Sequence, residues 1–190
     1  MKNLIVFIGE SGSGKNFLIE HLNYHFPNDF HIVPQVTTRP MREGESEGSP
    51  YHFVDINDFL HMHYIGEMME YTVFNEWYYG TRYKDLVYDK INLLSASPSA
   101  AKRILANKFI NTHIIYVHCN DKQRLIRSLQ REINPDIQEI FRRYEADLKD
   151  FMPDKLDFGF YYIENNNMQD IDKFEKIVKR ELKRFKDARG

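Results

Sequence analysis

The chain has 190 residues, of which 42% are hydrophobic and 28% are charged. This length and composition are typical of one soluble globular domain, and they exclude a disordered chain and an integral membrane protein. The 28 acidic residues outnumber the 26 basic residues, which gives a net charge of −2. Proteins that bind the nucleic-acid backbone are usually far more basic, so we expect no nucleic-acid partner.

The cysteine content and the N-terminal residues indicate a cytoplasmic protein. The one cysteine, Cys119, excludes an intrachain disulfide and suits a reducing compartment. The apolar run Leu4–Ile8 is too short for the core of a secretory signal or for a membrane span, so no membrane partner is expected. No linker rich in Pro, Gly or Ser divides the chain, which predicts a single domain. The sequence leaves the oligomeric state open.

The first fifty residues predict a strand, a loop and a helix, followed by a second strand. Leu4–Ile8 is a continuous apolar run, which is typical of a strand buried on both faces of a parallel sheet. Glycines follow it, and apolar residues at helical spacing from Phe17 to Leu22 predict the first helix. Ile32–Val36 is the second candidate strand. Residues 37–50 are expected to form a loop because they combine charges with glycine and proline.

Strands and helices alternate through the rest of the chain. Met68–Phe74 and Trp77–Tyr79 predict a hairpin with Asn75-Glu76 as its tight turn. The other predicted strands are Ile91–Leu94, Ile114–His118 and Phe158–Ile163. The other predicted helices are a short one capped by Asp55 that ends near His61, and then Arg82–Asp89, Ser99–Asn107, Lys122–Glu132, Asp136–Phe151 and Met168–Phe185. This alternation predicts an α/β fold with a mostly parallel sheet, interrupted by a strand-rich insert from about residue 34 to 80.

The strongest motif lies between the first predicted strand and the first predicted helix. It reads Gly9-Glu10-Ser11-Gly12-Ser13-Gly14-Lys15-Asn16 and fits the P-loop pattern G-x-x-x-x-G-K in the structural context that this motif requires. Its glycines let backbone N–H groups point inward at phosphate oxygens, and the N-terminus of the following helix adds partial positive charge. We therefore expect a P-loop NTPase-type sheet that binds ATP through Gly9, Ser11, Gly12, Ser13, Gly14, Lys15 and Asn16. Lys15 is the predicted catalytic residue of this loop, because it reaches the outer phosphates and offsets their charge.

Asn16 departs from the usual motif, which has Ser or Thr at this position to ligate Mg²⁺. An asparagine side-chain oxygen also ligates hard cations, so Asn16 is a candidate Mg²⁺ ligand, although its longer side chain moves the oxygen. The competing interpretation of the whole motif is a glycine-rich turn followed by an unrelated lysine.

A second group of residues has the chemistry of a site for a nucleoside monophosphate. Arg39 and Arg42 lie three residues apart in a constrained loop, and arginine offers planar, bidentate donors to phosphate. Tyr51 and Tyr79 can each supply a hydroxyl to the same phosphate. Glu70 interrupts an apolar strand pattern, and a carboxylate that accepts from two adjacent N–H groups would read the N1–N2 edge of guanine. The alternatives are solvated surface arginines and an exposed strand face.

These residues fall in a pattern that resembles the guanylate kinases. The pattern comprises Thr37-Thr38-Arg39-Pro40-Met41-Arg42-Glu43-Gly44-Glu45, then Gly48, Tyr51-His52-Phe53-Val54, Met69-Glu70-Tyr71 and Tyr78-Tyr79-Gly80-Thr81. The resemblance covers nearly the whole chain and is strongest from Gly9 to Thr81. It implies a core with two mobile parts, a nucleotide-monophosphate-binding insert and a helical lid. The corresponding extents are about 1–33, 82–125 and 152–190 for the core, 34–81 for the insert and 126–151 for the lid.

The resemblance also implies roles for individual residues. The residues that would hold the GMP phosphate are Arg39, Arg42, Tyr51 and Tyr79, and those that would read the guanine are Glu70 and Thr81. Arg131 and Arg143 match lid arginines that close over the transferring phosphoryl group, with Arg142 as the alternative to Arg143. A positive charge there is physically expected, because charge spreads over the phosphoryl oxygens in the transition state.

Four positions depart from the pattern of the family. Gln35 stands where the family tends to have a serine that faces the base, and its amide can also donate to guanine O6. Ser95 and Ser97 stand near the place where the family has Asp-x-Asp, so two carboxylates near the base or the metal are missing. Together with Asn16, these changes predict a slower or more relaxed enzyme.

The sequence thus favours phosphorylation of GMP or dGMP by ATP with Mg²⁺, through in-line transfer without a covalent enzyme intermediate. The expected partners are ATP and a guanine nucleoside monophosphate. Two alternatives stay open. One is a guanylate-kinase-like binding module with weak or no activity, and the other is a kinase of another nucleotide or of a sugar phosphate.

Overall fold

The computed structural model describes residues 1–42, 44–131, 133–167 and 169–187. The strands in these ranges are β1 (Lys2–Ile8), β2 (Phe30–Ile32), β3 (Gln35–Thr37), β4 (Ser46–Glu47), β5 (Pro50–Phe53), β6 (Met68–Phe74), β7 (Trp77–Arg82), β8 (Ile91–Ser95), β9 (Ile110–His118) and β10 (Tyr161–Glu164). The α-helices are α1 (Lys15–His25), α2 (Ile56–Tyr64), α3 (Pro98–Leu105), α4 (Asp121–Gln130), α5 (Ile137–Asp150) and α6 (Asp170–Asp187). None of the helices in these ranges has the length and apolarity that a membrane crossing requires.

Five strands form a parallel sheet in the order β10-β9-β1-β8-β2. β1 lies at its centre and pairs in parallel with β8 on one side and with β9 on the other. All five strands point the same way, so the loops that follow β1, β8 and β9 meet at one edge of the sheet. The predicted α/β fold, a parallel sheet flanked by helices, is confirmed.

Helices cover both faces of this sheet and complete two hydrophobic cores. On one face, Ile5 and Phe7 pack with α1 and α6, and the ring of Phe174 lies edge-on to that of Phe7 with 6.1 Å between centroids. On the other face, Leu4 packs with residues of α3 such as Ile104. Because successive side chains of a strand face opposite ways, the part of a strand that is covered on both faces is apolar throughout, as Leu4–Ile8 of β1 is.

A second sheet, in the order β4-β5-β3-β7-β6, is built from the middle of the chain. Its β6–β7 hairpin turns at Asn75 and Glu76, whose φ angles of 49° and 63° suit a two-residue turn that follows the twist of the strands. Helix α2 buries Phe59, and the side chain of Asp55 accepts a hydrogen bond from the N–H of Asp58 at its start, at 2.8 Å. Both the predicted hairpin and the predicted cap are confirmed.

The prediction of one strand over Ile32–Val36 is wrong. β2 ends at Ile32 in the parallel sheet, and β3 begins at Gln35 in the second sheet. Pro34 lies between them and has no N–H group with which to continue a ladder of hydrogen bonds. The chain therefore leaves the first sheet and enters the second at this point.

The predicted helix Arg82–Asp89 is also wrong, because the chain forms only a 3₁₀ turn of 3 residues there. An ion pair between Nε of Arg82 and Oδ2 of Asp85, 2.6 Å apart, closes this turn. Asn92 of β8 then binds both backbone groups of Val87. Its Oδ1 accepts from the N–H and its Nδ2 donates to the carbonyl, each at 2.9 Å. These bonds take the place of helical hydrogen bonds.

Other boundaries differ from the predictions by a few residues. The predicted loop 37–50 contains β4 and the first residue of β5. β9 starts earlier than predicted, at Ile110, and β10 starts later, at Tyr161. Two predicted helix ends, Glu132 and Met168, lie outside the described residues.

Candidate active site

The loop between β1 and α1 has a shape that requires glycine at two positions. Gly12 and Gly14 have φ angles of 76° and 90°, in the left-handed region. A Cβ atom on Gly12 would lie 2.5 Å from the carbonyl oxygen of Arg124, and one on Gly14 would lie 2.3 Å from Nδ2 of Asn165. The loop therefore packs directly against α4 and against the segment that follows β10. A side chain at either glycine would displace it.

Lys15 begins α1 and turns its ammonium group back onto the loop. Its Nζ donates to the carbonyl oxygen of Gly9 at 2.5 Å and to that of Glu10 at 3.1 Å. Burial lowers the pKa of Lys15 from 10.5 to about 8, and the nearby carboxylates of Asp147 and Glu10 offset part of this effect. The loop thus carries its own cation at the place where a nucleotide phosphate would need one.

The lowered pKa of Lys15 predicts how ATP affinity depends on pH. Bound phosphates favour the charged amine, so they raise its pKa above the value of about 8 in the free protein. ATP should bind most tightly below that pH, and its affinity should fall by up to about tenfold per pH unit above it. Calorimetry in two buffers with different ionisation enthalpies should detect proton uptake on binding above this pH. A Lys15→Ala variant should bind weakly without the pH step, and the same slope in that variant would contradict the assignment.

Three side chains from distant parts of the chain hold the loop in place. The buried Arg124 donates from Nε to the carbonyl oxygen of Ser11 at 3.0 Å. Asn165 and Arg127 both donate to the carbonyl oxygen of Ser13, at 2.8 and 3.3 Å. None of the three was predicted from the sequence, because they lie between 113 and 152 residues from their loop partners. Only the fold brings them to the loop.

A carboxylate from α5 also reaches the loop. Oδ2 of Asp147 accepts a hydrogen bond from the N–H of Ser11 at 2.8 Å and another from Nη2 of Arg124 at 2.8 Å. The side chain of Asp147 is only 14% exposed. Burial raises its pKa, although the bond from Ser11 and the charges of Arg124 and Lys15 offset part of the effect. This residue was not predicted from the sequence either.

Glu10 anchors the start of the loop to β9. Its buried Oε1 accepts a hydrogen bond from the hydroxyl of Tyr116 at 2.8 Å and lies 3.3 Å from Nδ1 of His118. Burial and the Glu10 carboxylate raise the pKa of Tyr116, so the phenol stays protonated and acts as the donor.

The residues near the loop fit a Mg²⁺ ion that is coordinated mainly by phosphate oxygens. Asn16 is exposed at the start of α1 and offers one neutral oxygen. The hydroxyl of Ser97 instead accepts a hydrogen bond from the N–H of Ala100 at 3.3 Å and caps α3. Within the described ranges, no group of three or more His, Cys, Asp or Glu side chains is arranged to hold a metal. Mg²⁺ usually keeps several waters and binds through one or two protein ligands plus phosphates, which this donor set allows.

On the second sheet, Arg39 lies in a cluster of acidic and aromatic side chains. It is 7% exposed, and its Nη2 and Nη1 donate to the two carboxylate oxygens of Glu45 at 2.8 and 2.9 Å. Its guanidinium carbon lies 5.4 Å from the ring centre of Tyr51, and the rings of Tyr51 and Tyr79 are 6.0 Å apart. Three of the four residues predicted to hold the GMP phosphate thus lie together. The fourth, Arg42, is exposed, and its backbone N–H donates to Glu45 at 2.8 Å.

The residues predicted to read the base are joined by hydrogen bonds. Nε2 of Gln35 donates to Oγ1 of Thr81 at 3.4 Å, and this hydroxyl donates to Oε1 of Glu70 at 2.9 Å. Glu70 is 5% exposed, and burial raises its pKa. Its Oε2 has no hydrogen-bond partner among the described residues, although Nη2 of Arg103 lies 3.8 Å away. Arg103, which the sequence analysis missed, donates to the carbonyl oxygen of Tyr71 at 2.7 Å.

The arginines predicted for the lid lie in the middle of α5 and at the end of α4. Arg142 and Arg143 donate from Nε to the two carboxylate oxygens of Glu139, at 2.6 and 2.7 Å. The hydrogen bond from Arg142, and to a smaller extent that from Arg143, lowers the pKa of Glu139 to about 2. Arg142 also lies over the ring of Phe74, 4.5 Å from its centre, so α5 contacts the β6–β7 hairpin. Arg131 is exposed at the end of α4.

Comparison with known proteins finds similarity over almost the whole chain. A family model described as guanylate kinase matches residues 1–184. The guanylate kinase of Synechococcus sp. is 27% identical over 184 residues, and the match covers 92% of this chain and 81% of that protein. The guanylate kinase of Helicobacter hepaticus is 28% identical over 180 residues, and the match covers 92% and 80%.

A solved structure has the same fold. The crystal structure of guanylate kinase from Anaplasma phagocytophilum aligns with a TM-score of 0.67 and 20% sequence identity, over 95% of this chain and 87% of that one. At this identity the likeness shows the fold, and the family model, which spans almost the whole chain, shows the relationship. The chain belongs to the guanylate kinase family.

Proposed function

We propose that this protein transfers the γ-phosphoryl group of ATP to the phosphate of GMP or dGMP, which yields ADP and the guanine nucleoside diphosphate. Family membership supports the reaction. The phosphate loop follows a strand of the parallel sheet, whereas the Arg39 cluster and Glu70 lie on the second sheet, which supports a separate site for each substrate. The loop of the parallel sheet would bind ATP, and the second sheet would bind the acceptor.

The buried carboxylate of Glu70 carries the guanine assignment. One of its oxygens accepts from Thr81, and the other has no hydrogen-bond partner among the described residues. A buried acceptor without a partner costs about 1–3 kcal/mol, so a ligand that brings N–H donors to it is stabilised. Guanine presents N1–H and N2–H side by side, whereas adenine presents an acceptor at N1. A cavity of about 500 Å³ borders Glu70 and Arg103 and offers space next to this carboxylate.

The Arg39 cluster would bind the phosphate of the acceptor. Glu45 fixes the guanidinium of Arg39 in a bidentate pair, so little side-chain entropy remains to be lost when a phosphate binds. Tyr51 and Tyr79 would add hydroxyl donors beside it, and Arg42 would close over the phosphate from the surface. The acceptor is thereby held at both ends, the base by Glu70 and the phosphate by this cluster.

The ATP site would promote the transfer by positioning the phosphates and by stabilising the charge that develops on them. Lys15 and the backbone of the loop would hold the outer phosphates of ATP, and Mg²⁺, with Asn16 as its candidate protein ligand, would neutralise part of their charge. Arg131 and Arg143, or Arg142 in place of the latter, would bring positive charge to the transferring group after leaving their present partners. Residues 34–81 and 126–151 would be the mobile insert and lid that close and exclude water.

A panel of acceptors tests this proposal. Release of ADP from MgATP, followed by a coupled assay, should be at least about 100-fold faster with GMP or dGMP than with AMP, CMP and UMP, because each of the latter three lacks the paired N–H donors that Glu70 would accept. Equal rates with AMP would contradict the role of Glu70. Binding of GMP without turnover would instead indicate a binding module. A rate well below that of ordinary family members is the outcome predicted from Asn16, Ser95 and Ser97.

A further inference from the structure

The phosphate loop binds an anion that belongs to the chain itself. The N–H of Ser11, part of the loop proposed to hold ATP, donates to Oδ2 of Asp147 at 2.8 Å. The same oxygen accepts from Nη2 of Arg124 at 2.8 Å, and the charge of Lys15 acts on the carboxylate as well. A backbone N–H group, a guanidinium and an ammonium are the groups that usually surround a bound phosphate oxygen.

We propose that Asp147 is an internal ligand of the phosphate loop, whose carboxylate takes the place of one phosphate oxygen and which ATP must displace. The inference rests on the proposed function only for the binding of ATP to the loop. It does not depend on the identity of the acceptor.

Hydrogen bonding and charge both make the two anions compete. Ser11 has a single N–H, so this donor cannot serve Asp147 and a phosphate oxygen at full strength. A carboxylate left inside the loop would also repel the phosphates at short range, where a partly buried charge is weakly screened. ATP binding therefore requires the side chain of Asp147 to leave, and the free energy of that step lowers the apparent affinity.

The environment of Asp147 makes it a ligand that a phosphate can replace. Burial raises the pKa of this carboxyl, which means that Ser11, Arg124 and Lys15 compensate only part of the loss of water. A triphosphate brings more charge and more acceptor oxygens than one carboxylate, so it can satisfy the same donors more fully. Asp147 would occupy them until ATP arrives.

Displacement of Asp147 would also change the charge that α5 presents to the loop. Glu139, Arg143 and Asp147 follow one another at intervals of four residues, so they form a row on one face of the helix. Arg143 lies about one helical turn, roughly 5–6 Å along the axis, from Asp147. A shift of α5 by one turn would therefore replace the carboxylate near the loop with the guanidinium predicted to act on the phosphoryl group.

Binding measurements on Asp147 variants test the proposal. Calorimetry without GMP should give dissociation constants about tenfold lower for Asp147→Ala than for the unchanged protein, with both ATP and tripolyphosphate. Tripolyphosphate probes the loop without a base or a ribose. Asp147→Asn keeps the shape of the side chain but loses its charge, so it should lie between the two. This variant also guards against unfolding, because Asp147→Ala leaves the buried Arg124 without one of its partners.

Asp121→Asn is the matched control, because Asp121 also pairs with Arg124, at 3.0 Å, but is 60% exposed. It removes the same charge from the same arginine. If Asp121→Asn lowers the dissociation constants as much as the Asp147 variants do, the effect comes from the loss of any nearby negative charge. This result would overturn the proposal. Weaker or unchanged binding by folded Asp147 variants would overturn it too, and would leave the proposed kinase function standing. Failure of both the unchanged protein and the folded Asp147 variants to bind ATP would reject both.

Discussion

Replacing Lys15 with alanine should lower kcat for GMP phosphorylation by about 100- to 1,000-fold, the range seen when one preorganised charge-stabilising group is removed. The ammonium group of Lys15 already lies in the loop, bonded to the carbonyl oxygens of Gly9 and Glu10. It is therefore positioned before the substrate arrives, and no further reorganisation is needed as charge develops on the phosphoryl oxygens.

Steady-state assays at saturating ATP and GMP measure this loss. Lys102→Ala is a suitable control, because Lys102 is 59% exposed and pairs with Asp157. The control should retain full activity. Binding of GMP alone should be the same in both variants, because the residues proposed to bind GMP lie on the second sheet. A kcat for Lys15→Ala within about threefold of the unchanged protein would remove Lys15 from the mechanism.

Replacing Glu70 with glutamine should lower kcat/KM for GMP by about 100-fold or more and leave ATP affinity unchanged. The carboxylate offers acceptors to two N–H groups of guanine, whereas the glutamine amide opposes one of them with a donor. Hydrogen bonds to a charged group contribute about 1.5–3 kcal/mol each, so the loss of both, or of one at the upper end of this range, gives this factor. The burial of Glu70 strengthens the effect, since water cannot replace the missing acceptor.

The nucleotide IMP gives the same prediction an independent readout. IMP lacks the 2-amino group of GMP, so the unchanged protein should prefer GMP and the Glu70→Gln variant should lose most of that preference. Glu76→Gln, the same replacement at the exposed turn of the same hairpin, should alter neither value. An unchanged preference in the Glu70 variant, or an equal loss of ATP binding, would rule out base reading by this residue.

Local patterns predicted the phosphate loop and most elements around it, because each is defined by residues adjacent in the sequence. Leu4–Ile8 is apolar throughout since both faces of β1 are covered. The β6–β7 turn depends on two residues, Asn75 and Glu76, that were recognisable without any long-range contact. The grouping of Arg39 with the two tyrosines was predicted from the phosphate-binding chemistry of these residue types and from the family resemblance, not from any rule of local structure.

The supports of the loop could not be predicted, because they join residues that are far apart in the chain. Ser11 and Asp147 are separated by 136 positions, and Arg124 has the sequence context of a solvated charge on a polar helix. The wrongly predicted helix over Arg82–Asp89 has a different origin, because Asn92 lies only 5 residues from its partner Val87. Its composition allows a helix, but Asn92 of the adjacent strand binds the backbone in another conformation.

A ³¹P NMR time course of the protein mixed with MgATP and GMP tests phosphoryl transfer between the two nucleotides most directly. The signals of ATP and GMP should decline together while ADP and GDP appear in equal amounts, with little free orthophosphate. This follows because the phosphoryl group passes to GMP in a site that excludes water. Orthophosphate without GDP, or a spectrum that stays constant with folded protein, would contradict the assignment of phosphoryl transfer to GMP.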